Sequence, residues 1–381
     1  MANREIFCKR SEKKMKVSAF LKQHAVLLIA ALAALVTAFI VPPDGEYRGY
    51  IDLRTLTCLF CVLAVVQAFS NIDLFYILAR KLARGFRNTR LAVLALVWIT
   101  AIGSMFLTND TALLTFLPLS YFVLHSTGKD KLLALTFVLQ NCAANLGGML
   151  TPFGNPQNLY LYSKFSVENG EFFAIMLPPF LLSAILFTVL CLLVKPEPLE
   201  VPGADARLDM KRGALYGGLF LVALAVVLRL IHFAVGLAVI PAVLFFADRK
   251  ALKQVDYGLL LTFVAFFIFS GNMARMEGVQ VLFSQLLQRD AMVVSALLSQ
   301  IISNVPAAIL LSRFTDNYAA LLQGVNIGGA GTLIASLASL ITYQQFVRCA
   351  PGEGGKFFKL FTVINVAFLA ILLGAMKIIA S

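Results

Sequence analysis

The chain has 381 residues, of which 60% are hydrophobic and only 14% are charged, and its mean hydropathy is +0.84. This composition excludes a soluble globular protein with a polar surface and is typical of a polytopic membrane protein. The net charge of +12 does not indicate nucleic-acid binding, because the basic residues cluster in short gaps between apolar runs, as the positive-inside bias produces.

Apolar runs predict the membrane crossings in chain order. Seven uninterrupted runs are each interpreted as one crossing: 25–41, 55–69, 172–194, 213–231, 235–246, 257–271 and 357–379. Two further segments, 131–162 and 316–346, contain Gly, Asn, Ser or Pro in the middle of apolar sequence. Each is predicted to be one crossing built from two half-helices, because a broken helix at membrane depth must line a cavity or pack on protein.

Two apolar hairpins complete the predicted topology, at 91–124 and 291–312. The arms of the second hairpin have about 12 and 8 residues, or roughly 18 and 12 Å at helical rise. That is too short for a hydrocarbon core of ~30 Å, so the second hairpin is predicted to be re-entrant. The first hairpin has longer arms, and either a re-entrant or a fully spanning form is compatible with its length.

The polar interruptions occur twice. NLGGMLTPFGNPQN at 145–158 aligns without a gap on NIGGAGTLIASLAS at 326–339, an offset of 181 residues. The hairpin tips TNDTA at 108–112 and SNVPA at 303–307 have an offset of 195 residues. Two degenerate halves, each with a polar hairpin tip and a broken helix, indicate a secondary transporter with its site between the repeats.

The distribution of charge predicts the orientation. With the N-terminus cytoplasmic, 24 of the 32 Lys and Arg residues fall on the inner side, and the two repeats are inverted relative to each other. The predicted divisions are a basic cytoplasmic N-terminus at 1–23, a first span and outer loop at 24–50, repeat 1 at 51–194, a cytoplasmic linker at 195–212, connecting spans at 213–255 and repeat 2 at 256–381. The predicted fold class is therefore an all-α polytopic membrane protein with two inverted repeats, nine crossings and two hairpins.

Asp110 is the one carboxylate in these motifs. A charged side chain at membrane depth is disfavoured by at least ~2.5 kcal/mol on insertion scales, so it should be paired, hydrated or protonated. Three roles remain open for it: a Na⁺ ligand, a proton carrier, or an N-cap that accepts from the N–H of Ala112 or Leu113. For the motifs together, the alternative to a binding site is that small and amide residues merely allow close helix packing.

These residues resemble the ion transporter superfamily, which includes divalent anion/sodium symporters, citrate carriers, arsenite permeases and sodium/proton antiporters. Thr108-Asn109 and Ser303-Asn304 match the first two positions of the symporters' Ser-Asn-Thr tips, whereas Asp110 and Val305 stand in place of the threonine. TNDTALLTFLP is similar to the arsenite-permease tip, and GNPQN is similar to the symporters' Gly-Thr-Pro-Pro-Asn.

The resemblance implies that substrate binds between the tips and that a coupling cation binds near the breaks. The predicted substrate-binding residues are Thr108, Asn109, Thr111, Asn158, Ser303, Asn304, Thr332 and Ser336. The predicted cation-binding or coupling residues are Asp110, Asn145, Gly147, Thr151, Asn155, Asn326 and Gly328. Members of the superfamily move a transport domain in an elevator-like way and often form dimers, so a homodimer is an expectation of the resemblance alone.

The function predicted is secondary active transport of a small anion, an inorganic oxyanion or a carboxylate, coupled to Na⁺ or H⁺ by alternating access in the cell membrane. A passive anion channel and an arsenite-type efflux permease are the alternatives. No HExxH, GxSxG or P-loop motif occurs in the sequence, so neither a membrane-embedded hydrolase nor an ATP-driven pump is expected. The expected partners are the solute and the lipid bilayer, with no cofactor besides the coupling ion and no other metal.

Overall fold

The computed structural model describes residues 25–83, 85–200 and 208–380. These residues form helices and no β-strand, which confirms an all-α polytopic membrane protein. Eight of the helices in this part of the chain are long and apolar enough to cross a membrane, and two shorter apolar helices accompany them. The predicted N-terminal segment 1–23 and the central part of the predicted linker, 201–207, lie outside the described residues.

The first half contains one hairpin and one broken crossing. Its helices are α1 (Ala25–Ile40), α2 (Tyr47–Tyr50), α3 (Leu53–Asn71), α4 (Leu74–Ala83), α5 (Thr89–Phe106), α6 (Asn109–Ser126), α7 (Leu133–Gly147), α8 (Pro156–Lys164) and α9 (Asn169–Leu192). The hairpin arms α5 and α6 each have 18 residues, roughly 27 Å at helical rise. The broken crossing consists of α7, a 3₁₀ turn at Gly148–Leu150 and α8.

The second half repeats this order with a shorter hairpin. Its helices are α10 (Met210–Val227), α11 (Phe233–Ala247), α12 (Arg249–Lys253), α13 (Tyr257–Ala274), α14 (Glu277–Ile302), α15 (Asn304–Leu311), α16 (Tyr318–Ile327), α17 (Leu337–Cys349) and α18 (Gly354–Ala380). The backbone of Asp290 is extended, which interrupts α14 and leaves 291–302 as the first hairpin arm. With eight residues in α15, roughly 12 Å, neither arm has the length of a ~30 Å hydrocarbon core.

In both halves, a glycine presses the broken crossing against its own hairpin. A Cβ atom on Gly147 would lie 2.9 Å from the Cα of Ala101 in α5, and one on Gly328 would lie 2.8 Å from the Cα of Ala296 in α14. These pairs are related by the offsets of 181 and 195 residues that align the repeats in sequence. Small residues at such contacts let two helix backbones approach closely. The same packing unit is therefore built twice.

Two threonines fasten the breaks to the same arms. The hydroxyl of Thr151 donates to the carbonyl of Met105 at 2.8 Å, and the hydroxyl of Thr332 donates to the carbonyl of Gln300 at 3.1 Å. The two threonines correspond by the offset of 181 residues and the two acceptors by the offset of 195 residues. Each broken helix is thus hydrogen-bonded to the first arm of its own hairpin.

Helix α7 lies at the centre of the molecule. Thirteen of its 15 residues are buried. It packs against α5, α6 and α9 of the first half and against α17 and α18 of the second half. Because α7 contacts both halves, the break that follows it lies where the two repeats meet.

Candidate functional site

Four helices begin at this meeting point. Their N-cap residues are Thr108 for α6, Asn155 for α8, Ser303 for α15 and Ser336 for α17. The backbone N–H of Asn304 donates to the carbonyl of Ala335 at 2.9 Å, which holds the starts of α15 and α17 together. Each helix N-terminus carries about half a positive charge and exposes N–H groups, so their convergence makes a positive, donor-rich centre without any basic side chain.

Asn145, the residue before Leu146 and Gly147 at the end of α7, connects three of these starting points. Its Oδ1 accepts from Asn109 Nδ2 at 3.0 Å and from Ser336 Oγ at 2.8 Å. Its backbone carbonyl accepts from Asn155 Nδ2 at 3.1 Å. One buried asparagine therefore links the first hairpin tip to the breaks of both repeats.

Asn326, which aligns with Asn145, performs the corresponding role in the second repeat. Its Oδ1 accepts from Asn155 Nδ2 at 3.2 Å and from Gln157 Nε2 at 3.1 Å, and its Nδ2 donates to Asn158 Oδ1 at 2.5 Å. Asn155 aligns with Ser336, and each of these two equivalent side chains bonds the central asparagine of the other repeat. This reciprocal exchange joins the two repeats at the site.

The two hairpin-tip asparagines have the same local geometry. Asn109 Oδ1 accepts from the N–H of Asp110 and Asn304 Oδ1 accepts from the N–H of Val305, both at 2.9 Å. Their Nδ2 groups differ. The Nδ2 of Asn109 is bonded to Asn145, whereas the Nδ2 of Asn304 has no protein acceptor among the described residues and faces Gly329, 3.1 Å from where a Cβ would stand. The second tip therefore keeps a free amide donor at the centre.

Ser303 holds a backbone conformation that serine rarely adopts, with φ of 75° and ψ of 154°. This region is favoured by glycine and costs a non-glycine residue roughly 1–3 kcal/mol. The contacts around the tip impose it, because Ser303 Oγ donates to the carbonyl of Ala335 at 3.3 Å and Asn304 N donates to the same carbonyl. The aligned Thr108 has an ordinary φ of −69°, so the strain is confined to the second tip.

Thr108, not Asp110, caps α6. Its Oγ1 accepts from the N–H of Thr111 at 3.4 Å and lies 2.9 Å from the Thr111 hydroxyl. The backbone N–H of Ala112 donates to the carbonyl of Thr108. The alternative in which the Asp110 carboxylate caps the helix is therefore wrong. Asp110 is half-buried, and its Oδ1 is a buried acceptor with no hydrogen-bond partner.

Two further predicted residues, Asn158 and Thr332, differ in how they relate to the network. Asn158 Nδ2 donates to the carbonyls of Met149 and Thr151 at 3.0 and 3.1 Å, which holds the first break in shape. Thr332 is exposed and contacts Gln300 rather than the other predicted substrate ligands. The structure thus brings together seven of the predicted residues by direct hydrogen bonds or at the second tip: Asn109, Asn145, Asn155, Asn158, Asn304, Asn326 and Ser336.

Three further polar residues that the sequence motifs do not include extend the network. Asn141 Nδ2 donates to Asn365 Oδ1 of α18 at 3.1 Å, and Thr342 Oγ1 donates to Asn141 Oδ1 at 3.3 Å. All three are fully buried. A buried amide within an apolar helix is itself a signal of a functional or structural polar contact, so Asn365 could be found by its isolation in the apolar sequence of α18.

The site offers both donors and acceptors but little fixed charge. The breaks and tips contain no Lys or Arg, and Asp110 is their one carboxylate. Asn155 Oδ1 and Gln157 Oε1 are buried acceptors without a partner, next to Asn326. Helix N-termini attract anions, whereas free carbonyl and carboxylate oxygens suit a small cation. The arrangement is therefore chemically suited to an anion and a cation in adjacent positions.

Comparison with known proteins relates the chain to a family of transporters. Residues 17–324 match the family model described as citrate transporter, CitMHS. The chain is 29% identical over 372 residues to the uncharacterized transporter MJ0456 of Methanocaldococcus jannaschii, with 96% of this chain and 99% of that protein covered.

Two further relatives differ in how much of the chain they share. The chain is 31% identical over 329 residues to the inner membrane protein YbiR of Escherichia coli, with 82% of this chain and 86% of that protein covered. A shorter match, 32% identical over 151 residues, relates 39% of this chain to 30% of the silicon efflux transporter LSI3 of Oryza sativa.

Proposed function

Because this chain belongs to the citrate transporter family, we propose that it is a secondary active transporter that moves a small anion by alternating access, coupled to Na⁺ or H⁺. The observation that carries the proposal is the convergence of four helix N-termini, those of α6, α8, α15 and α17, on one buried amide network. We place the substrate between the hairpin tips at Asn109 and Asn304.

The electrostatics favour reversible binding of an anion. Each helix N-terminus contributes roughly half a positive charge, which falls off within the first turn. Dipoles and amide donors attract an inorganic oxyanion or a carboxylate more weakly than a buried Arg or Lys would. A transporter must release its substrate on the other side, so a site without a fixed countercharge suits the task.

We assign the coupling between anion and cation to three oxygen atoms next to the proposed anion site. Asp110 Oδ1, Asn155 Oδ1 and Gln157 Oε1 are buried acceptors without partners. A cation bound beside them would reduce the cost of burying the anion, so that each ligand strengthens the binding of the other. Na⁺ would use these oxygens as ligands, and H⁺ would use the Asp110 carboxylate.

The orientation follows from charge. We place the N-terminus in the cytoplasm, with the first hairpin entering from inside and the second from outside, because this arrangement puts 24 of the 32 Lys and Arg residues on the inner side. The cell membrane is the proposed location, and a homodimer is the proposed assembly.

Uptake by liposomes that contain the purified protein tests the proposal. Labelled citrate, sulfate and phosphate are offered under imposed Na⁺ and H⁺ gradients, and at least one should accumulate only with a gradient. Asn109→Ala and Asn304→Ala should abolish accumulation, whereas Asn317→Ala, a matched change at the exposed N-cap of α16, should not. Gradient-independent flux at channel-like rates would indicate a passive anion channel, and export of arsenite alone would indicate an efflux permease.

A further inference from the structure

We propose that a second anion-binding site, which takes a small multivalent oxyanion from solution, lies in a basic pocket at the opposite end of α8 and α15 from the central network. The pocket has a volume of about 300 Å³, at the lower end of the range for ligand cavities. It is lined by Gly49, Tyr50, Asp52, Arg54, Tyr160, Ser163, Lys164 and Arg313.

The three cations of this basic pocket have no ionic partner. Within the described residues, no carboxylate lies within 4.0 Å of the charged atoms of Arg54, Lys164 or Arg313. The one carboxylate in the lining, Asp52, is occupied as the N-cap of α3, where it accepts from the N–H and the hydroxyl of Thr55 at 2.9 and 2.5 Å. All three cations are half-buried. The pocket thus concentrates positive charge that the protein does not neutralise by ion pairs.

Two polar groups in the lining also lack partners. Ser163 is only 8% exposed, and its hydroxyl has no hydrogen-bond partner. The Nε of Arg313 is likewise buried and unpartnered, although its NH2 group donates to the carbonyl of Tyr50 at 3.1 Å. Leaving a buried donor unsatisfied is costly, so a rotation of either side chain that brings its donor to an oxyanion in the pocket would be favourable. A planar guanidinium is well suited to this kind of acceptor.

The simplest competing explanation is that Lys164 and Arg313 only complement the negative C-terminal ends of α8 and α15. Each helix end contributes about half a negative charge, so the two ends together offset roughly one cation, and Asp52 offsets another. Among the residues that line the pocket, about one positive charge is therefore left over, and the nearby Asp316 is outside the lining and exposed to solvent, which screens its charge. Helix-end stabilisation also does not account for Arg54, which lies in the first turn of α3, where a cation is unfavourable.

The basic pocket is connected to the central network by two short helices. Helix α8 runs from Pro156 to Lys164 and α15 runs from Asn304 to Leu311, which separates the two sites by roughly 12–14 Å at helical rise. The hydroxyl of Tyr160 lies 2.8 Å from that of Ser312 and joins the pocket ends of both helices. In the proposed orientation this end faces the outside, so the pocket would raise the anion concentration above the transport site. This role rests on the proposed function, whereas binding in the pocket does not.

Equilibrium binding of radiolabelled sulfate to the purified full-length protein in detergent tests the proposal. The Asn304→Ala variant should retain saturable sulfate binding, because the pocket does not use the hairpin tip. Arg313→Gln should weaken that binding by about ten-fold or more, as expected for loss of a charge-assisted hydrogen bond. Lys164→Gln should also weaken it and provides a second variant if Arg313→Gln does not fold. Arg289→Gln is the matched control, an exposed arginine outside the pocket, and should bind as the wild type does.

Three outcomes would overturn the proposal. The first is an absence of saturable sulfate binding, and the second is equal sulfate affinity in Arg313→Gln, Lys164→Gln and Arg289→Gln. The third is that the pocket binds a lipid headgroup from the bilayer. In that case phosphatidylglycerol at a stoichiometric amount would displace sulfate, whereas a site for an oxyanion from solution should keep its sulfate. Binding is measured without any gradient, so failed transport would contradict the proposed function and leave this result intact.

Discussion

Replacement of Gly328 by alanine tests the close contact between the second broken helix and its hairpin. The added Cβ would lie 2.8 Å from Ala296 Cα and 2.9 Å from Ser299 Cβ. The first of these atoms belongs to the backbone of α14, so a side-chain rotation cannot relieve the clash. The arm and the broken helix must move apart, and overpacking of this kind costs roughly 1–3 kcal/mol.

A matched control separates this clash from the general effect of removing a glycine. Gly218 lies inside α10, and a Cβ there would meet no heavy atom within 4 Å. Gly218→Ala should therefore be neutral or stabilise the helix by up to about 1 kcal/mol. Gly328→Ala should lower the unfolding midpoint of the purified protein in detergent and reduce transport, because Asn326 lies two residues away. Equal midpoints for the two variants would refute the close-contact reasoning.

Three other predictions concern the network, coupling and topology. Asn145→Ala should lower the free energy of unfolding by about 2–4 kcal/mol, because two buried donors lose their acceptor. A double-mutant cycle with Ser336→Ala should give a coupling energy near 1 kcal/mol, and additive effects of the two changes would contradict the 2.8 Å bond between these side chains. Asp110→Asn should lose gradient-driven accumulation but keep anion exchange, and wild-type uptake with unchanged dependence on Na⁺ and pH would remove Asp110 from coupling. Cysteines that replace Lys131 and Glu168 one at a time, in a variant without the native cysteines, should be labelled from opposite sides of the membrane. Labelling of both positions from the same side would contradict the inverted topology.

The two repeats could be predicted from the sequence because close contact between helix backbones requires a small residue at equivalent positions of each repeat. Gly147 and Gly328 must be small for helices to approach, and an ungapped alignment places them in equivalent positions. The contacts of Thr151 and Thr332 follow the same two offsets. The bounds of the predicted crossings agree with the helices to within about four residues, because apolar length and the breaks set them. The stretch 277–290 at the start of α14 was not predicted.

Which side chains of the network are hydrogen-bonded to each other could not be predicted from the sequence. Asn141 and Asn365 are 224 positions apart and bond through the packing of α7 on α18, which no local pattern encodes. The role of Asp110 was also ambiguous, because Thr108 and Asp110 are both good N-cap residues two positions apart. Only the helix start at Asn109 decides that Thr108 is the cap. The basic pocket was missed because its three cations come from α3, α8 and the turn after α15.

The most direct test of the central claim is anion accumulation in liposomes that contain either the wild type or Asn304→Ala, under an imposed Na⁺ or H⁺ gradient. The wild type should concentrate an oxyanion or a carboxylate against its own gradient. Asn304→Ala should remain folded, because Asn304 Nδ2 makes no protein hydrogen bond in the described structure and Oδ1 accepts only from the adjoining residues Ser303 and Val305. This variant should not accumulate the anion. Accumulation by Asn304→Ala at the wild-type rate would place the substrate away from the hairpin tips and contradict the account.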